Sequence, residues 1–172
     1  MATVTVRPVA DGSVITYSRV GDDANWKCVD DVTPDDAATF VNINDGDTAG
    51  DLYVVGSSGL SAGDTINSVT IHARAVAFGA DSFQWQAAAG SGAEVYGGAV
   101  SVSDVAYTNY DSGALTVIPN TGDPWTLAAL DALEIGTVAS NIEVRIRLTQ
   151  IYAVIDYDPP AATPRSWGQI IG

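Results

Sequence analysis

Two groups of acidic residues could do chemistry if the fold drew them together. Asn44, Asp45, Asp47 and Asp51 form one, and Asp30, Asp31, Asp35 and Asp36 the other. Several hard oxygens converging in this way are what Ca²⁺ takes as ligands. The spacing is not that of an EF-hand loop, because setting Gly46 at the sixth position puts Val41 at the first, where a carboxylate is needed. Aspartate is also the residue of turns and soluble surfaces, which accounts for both groups without an ion. The expectation is therefore no cofactor, with Ca²⁺ as the ion to test.

Other reactive types are scarce. His72 is the only histidine, which removes mechanisms that need two, including most zinc sites and histidine-pair acid–base catalysis. It alternates with Thr70 and Arg74, so a structural or surface role is expected. Cys28 lies between Trp26 and Val29 and reads as a small buried hydrophobe rather than a nucleophile. There is no G-x-S-x-G, P-loop or G-x-G-x-x-G motif. No enzyme is expected. Arg74, Arg145 and Arg147 are half of the six arginines and sit among apolar residues, so they are expected to pair with aspartates, within the domain or across a subunit boundary. Tyr53, Trp85, Tyr96, Tyr107, Tyr110 and Trp125 could include a sugar-stacking platform, although most are spaced as core residues.

The elements that must position these residues are mostly strands. Between residues 66 and 78, Val69, Ile71, Ala73, Ala75 and Ala77 share one face and Thr70, His72, Arg74 and Val76 the other, a period of two. Shorter strands are expected at 3–7, 14–18, 39–43, 51–55, 81–88, 93–96, 100–107 and 114–118, separated by Gly-, Asn- and Asp-rich turns. The acidic stretch 22–36 reads as a loop that Trp26, Cys28 and Val29 pin to the core. One helix of about three turns is expected near residues 124–134, with Asp123 as N-cap, Pro124 in the first turn and Gly136 as its stop. The final strand region, 142–157, changes face near Thr149 and Gln150, which requires a bulge or bend. Many short strands with one short helix and no βαβ rhythm point to an all-β, antiparallel β-sandwich of jelly-roll type.

Composition bounds the rest. The 172 residues are of single-domain length, with 21 acidic against 7 basic side chains and a net charge of −14. Such a balance argues against nucleic-acid binding through phosphate neutralisation. No apolar run approaches the roughly 18 residues of a membrane span, and the first twenty residues have neither the basic nor the apolar region of a secretory signal. The β-sandwich domain is read as 1–157 with an N-terminal arm, Met1 to Pro8. Asp158-Pro159-Pro160-Ala161-Ala162-Thr163-Pro164 begins an extended C-terminal arm, 158–172.

The order of motifs resembles a large group of uncharacterised proteins of tailed bacteriophages and prophages. Trp26 to Val41 is similar to that group's Trp-x-x-Val-Asp-Glu-x-x-Pro-Asp-Asp-x-x-Thr-Tyr-Val segment, departing at Asp31 and Phe40. Asp51-Leu52-Tyr53, Ile66 to Ala75, Pro124 to Gly136 and Arg147 to Tyr157 follow in the same order, so the resemblance spans about 22–157. It implies a virion structural protein assembled in the host cytoplasm and has no catalytic residues to carry over. The reading is a non-enzymatic, acidic, oligomeric capsid decoration (cement) protein. Its arms would contact the major capsid protein or other virion proteins, with Pro164, Arg165, Trp167, Ile170 and Ile171 as partner-binding residues. A tail, neck or fibre component with a carbohydrate-binding sandwich is the alternative.

Overall fold

The longest alternating segment forms the longest strand, and the other elements are arranged around it. The computed structural model describes residues 1–44, 46, 47, 49–89, 93–102, 106–139, 143 and 145–161, with backbone only at 93 and 94. In chain order these form β1 (Ala2–Val6), β2 (Pro8–Asp11), β3 (Ser18–Val20), a 3₁₀ turn (Trp26–Cys28), β4 (Phe40–Ile43), β5 (Gly50–Val55) and β6 (Thr65–Ala77). They continue as β7 (Asp81–Ala89), β8 (Ala93–Val102), β9 (Thr108–Asp111), α1 (Leu127–Asp131), β10 (Leu133–Ala139) and β11 (Ile146–Asp158).

Two sheets face each other. One runs β3-β4-β11-β6-β9, with β1 added to β11; the other runs β2-β5-β10-β7-β8, and every pairing is antiparallel. From β4 to β11 the chain places β4, β6, β9 and β11 in the first sheet and β5, β7, β8 and β10 in the second, which is the two-sheet jelly roll. The core lies between them. Val69, Ile71, Ala73, Ala75 and Ala77 of β6 and Ile146, Leu148, Ile151, Ala153 and Ile155 of β11 meet Phe83, Trp85, Leu133 and Ile135 of the other sheet. Each fully buried branched side chain contributes about 1.5–3 kcal/mol by leaving water.

The change of face in β11 is a register shift between Leu148 and Gln150 against β6. It leaves Thr149 and Gln150 buried as well as the apolar residues on either side. On its other edge β11 pairs with β4 at residues 146–148 and with β1 at residues 153–157. Val29 fills the gap between them, its carbonyl accepting from the Ile151 N–H at 2.8 Å.

Five sequence expectations are corrected. Met1 to Pro8 is not an arm: Ala2–Val6 pairs along β11 and Pro8–Asp11 along β5, placing the start of the chain in both sheets. No strand forms over 14–18, because the Asp51 carboxylate takes the N–H groups of Thr16 and Tyr17, and β3 starts only at Ser18. Residues 93–96 and 100–102 are one strand, with Gly97 at φ +72° in an irregularity of the ladder, and a separate β9 follows at Thr108. Residues 114–118 make only the isolated bridges Val69–Leu115 and Val117–Pro124.

The expected short helix near residues 124–134 forms, and its limits are the fifth correction. It is five residues long, its N-cap is Thr126, whose hydroxyl accepts from the Ala129 N–H, and Leu133 opens a strand instead of a last turn. Local helix preference yields here to pairing on two sides, since β10 is bonded to both β5 and β7. Gly136 is therefore no helix stop. A Cβ at Gly136 would lie 1.8 Å from the Asp51 carbonyl oxygen, so only glycine permits this approach of β10 to β5.

Candidate functional site

Of the two acidic groups, Asp35, Asp36, Asp47 and Asp51 are occupied by the protein itself. Asp51 is completely buried on β5, where its Oδ1 accepts from the backbone N–H of Thr16 (2.6 Å) and Tyr17 (2.8 Å). Its Oδ2 accepts from Asn25 Nδ2 (2.7 Å) and the Tyr53 hydroxyl (2.9 Å). Four donors satisfy a buried carboxylate, whose burial without them would be prohibitive. Asn25 also donates to the Tyr17 carbonyl, and the Tyr17 hydroxyl donates to the Thr137 carbonyl on β10. Asp51 thus ties the segment before β3 and the start of the acidic loop to the second sheet. Burial pushes both Tyr17 and Tyr53 well above the ordinary phenol range.

The other end of that loop is fastened to the β11 bulge. Gln150 Nε2 donates to the Asp31 carbonyl at 2.5 Å, and Thr149 Oγ1 donates to the Thr39 carbonyl at 3.1 Å. Asp35 accepts from the N–H and hydroxyl of Thr39. Asp36, held at φ 55°, receives Arg74 Nε and Nη2 at 2.6 and 2.8 Å, a two-point clamp from β6. That bond to Arg74 lowers the Asp36 pKa, whereas burial raises Asp30 and Asp31. Of the carboxylates considered for Ca²⁺, Asp45 lies outside the described residues. Asp47 accepts from the Asn44 N–H, while Asp35, Asp36 and Asp51 have the partners given above. Among the described residues no three His, Cys, Asp or Glu side chains gather to hold a metal.

The remaining candidates are structural in their surroundings. His72 stacks on Tyr152 with ring centroids 4.8 Å apart, Arg7 lies over the same tyrosine, and desolvation lowers the histidine pKa, so its ring is neutral at neutral pH. Cys28 is buried, its thiol directed at the Val20 and Ala24 carbonyls and its pKa raised by desolvation. Tyr53, Trp85 and Trp125 belong to the core, and Tyr96, Tyr107 and Tyr110 are half-buried, so these six rings do not form an exposed stacking platform.

Met1 and Asp158 meet at one end of the sandwich. The Met1 ammonium contacts Asp158 Oδ1 at 3.0 Å, and Pro160 packs near Gly63. Pro164, Arg165, Trp167, Ile170 and Ile171, the expected partner-binding residues, lie outside the described residues.

The three arginines separate into two kinds. Arg74 has its aspartate, but Arg145 and Arg147 have none among the described residues. Both guanidinium carbons stand 4.7 Å from the centroid of Phe78, and Arg147 is also 4.2 Å from that of Phe40. Phe78 itself is half exposed at 50%. The Tyr107 hydroxyl lies beside the Arg147 guanidinium without hydrogen-bond geometry, leaving it and Arg147 Nε without partners. Spacing alone does not show this patch, since Phe78 sits in the turn after β6 and is brought to Arg145 by the Phe78 N–H to Arg145 carbonyl bond.

These contacts define an antiparallel jelly-roll domain whose distinctive residues bind one another. Among the described residues no helix is long and apolar enough to cross a membrane. No protein-family model and no curated protein matches the chain. Among solved structures, the Tobacco streak virus coat protein is similar over 99% of this chain and 95% of its own, at 14% identity and a TM-score of 0.31. A structure of that virus's coat protein dimer is similar over 96% and 92%, at 13% identity and a TM-score of 0.31. Likeness at this level carries no weight for fold or role, and the jelly roll stands on the strand order above.

Proposed function

We propose that this chain is a non-enzymatic structural component of a tailed-bacteriophage particle, a decoration protein that binds the head shell. The observation that carries the reading is what the recognisable segments do. Those around 26–41, 51–53, 66–75, 124–136 and 147–157 converge on one another, through Gln150 on Asp31, Arg74 on Asp36 and Gly136 against Asp51. A sequence pattern whose members bind each other serves a scaffold, whereas an enzyme needs several of its groups turned toward an open cleft. An acidic surface keeps such a domain soluble at high copy number.

Attachment falls to the C-terminal arm, with Trp167, Ile170 and Ile171 as apolar anchors and Arg165 as its cation. Isolated apolar anchors of this kind suit contact with a partner such as the major capsid protein. Deleting residues 160–172 tests this: the truncated chain keeps its melting temperature and no longer copurifies with particles. Unchanged incorporation would contradict the assignment of the arm.

A further inference from the structure

From the patch around Phe78 we infer a head-to-tail contact between copies of this chain, in which Phe78, Arg145 and Arg147 of one copy seat in the α1 groove of the next. In a chain with three acids for every base, each of the other described basic side chains donates to a carboxylate or to a main-chain carbonyl. Arg74 and Lys27 take carboxylates, and Arg7 and Arg19 donate to aspartate carbonyls. Arg145 and Arg147 instead share one aromatic ring, two like charges beside a half-exposed phenylalanine with no anion between them among the described residues. An aromatic residue flanked by arginines is what anchors protein contacts.

The complement lies on the same chain. A groove of about 540 Å³ opens beside α1, lined mainly by Ala89, Ile118, Pro124, Ala128, Ala129 and Ala132. Asp123 lines it, and Asp131 stands three residues on from Ala128 along the helix. Both carboxylates are exposed and meet no side-chain donor or cation among the described residues. An apolar slot with two free anions thus matches an aromatic knob with two free cations in shape and charge.

The two surfaces cannot meet within one copy. Phe78 precedes β7 and Ala89 ends it, so a nine-residue strand, about 30 Å, separates them. Pairing knob with groove therefore joins successive copies heterologously, into a ring or an open chain according to the rotation between them. This association concerns the isolated chain and stands or falls separately from the particle assignment.

Sedimentation velocity on the purified chain tests it with two variants, Arg145→Glu with Arg147→Glu, and Asp123→Arg with Asp131→Arg. The unaltered chain associates as its concentration rises and roughly tenfold or more weakly when salt is raised to about 0.5 M. Each variant alone stays monomeric. An equimolar mixture associates again, because the native knob of one variant meets the native groove of the other and the charge-swapped pair is complementary too, and that recovery shows that both variants are folded. A monomeric unaltered chain, a variant that associates undiminished, or a mixture that stays monomeric would each overturn the contact.

Discussion

At the residue scale the strongest single commitment is the buried carboxylate of Asp51. Removing it leaves the N–H groups of Thr16 and Tyr17, the Asn25 amide and the Tyr53 hydroxyl without an acceptor in a closed interior. Asp51→Ala is expected to lower stability by about 3–5 kcal/mol, read as a shift of the urea midpoint. The Asp36–Arg74 clamp behaves differently because it is partly open to water, and about 1 kcal/mol is its expected worth. The folded pKa of Asp36 is lowered, so this contribution is present above the ordinary carboxylate pKa of about 4 and disappears as pH falls through the folded value. Asp30 and Asp31 act with opposite sign, since raised folded pKa values make their protonation on acidification stabilising. Stability curves of the native chain and Asp36→Asn should differ at pH 7 and converge below about pH 4; a constant difference would contradict the clamp. That Arg74 would take an aspartate was legible in the sequence, but its choice of Asp36 and the role of Asp51 were not. Asp51 opens an expected short strand after an Asn-Asp-Gly turn, and three of its four donors, on Thr16, Tyr17 and Asn25, sit far away along the chain.

At the element scale, the long alternations of β6 and β11 and the bulge at Thr149–Gln150 were legible because period and parity record burial directly. β10 was not. Leu133, Ile135 and Thr137 alternate for too few residues to outweigh the helical spacing of Trp125, Leu127, Leu130 and Leu133, and what decides the matter is pairing with β5 and β7. The same pairing defines a prediction. Gly136→Ala drives a methyl group into the Asp51 carbonyl, backbone against backbone with no flexible side chain to give way. A loss of roughly 3 kcal/mol or more, or failure to fold, is expected in thermal unfolding. Gly98→Ala, where a Cβ meets nothing, is the matched control and should change stability little.

At the scale of the whole molecule, the sandwich has two different ends. One carries Met1, Asp158 and the α1 groove; the other carries Phe78, Arg145 and Arg147. A domain with distinct ends suits a repeating lattice, in which the arm holds each copy to the shell and the ends meet neighbouring copies. Length and charge had pointed to one acidic domain, and strand counting to a jelly roll, but which arginines lack a carboxylate among the described residues follows only from the positions of those residues in three dimensions. The central claim is that the chain is a building part of the phage head, and its most direct test is to locate and count it in intact purified particles by cryo-electron microscopy and quantitative mass spectrometry. The account predicts many copies spread over the outer surface of the head; absence from the particle, or a few copies confined to neck or tail, would contradict it.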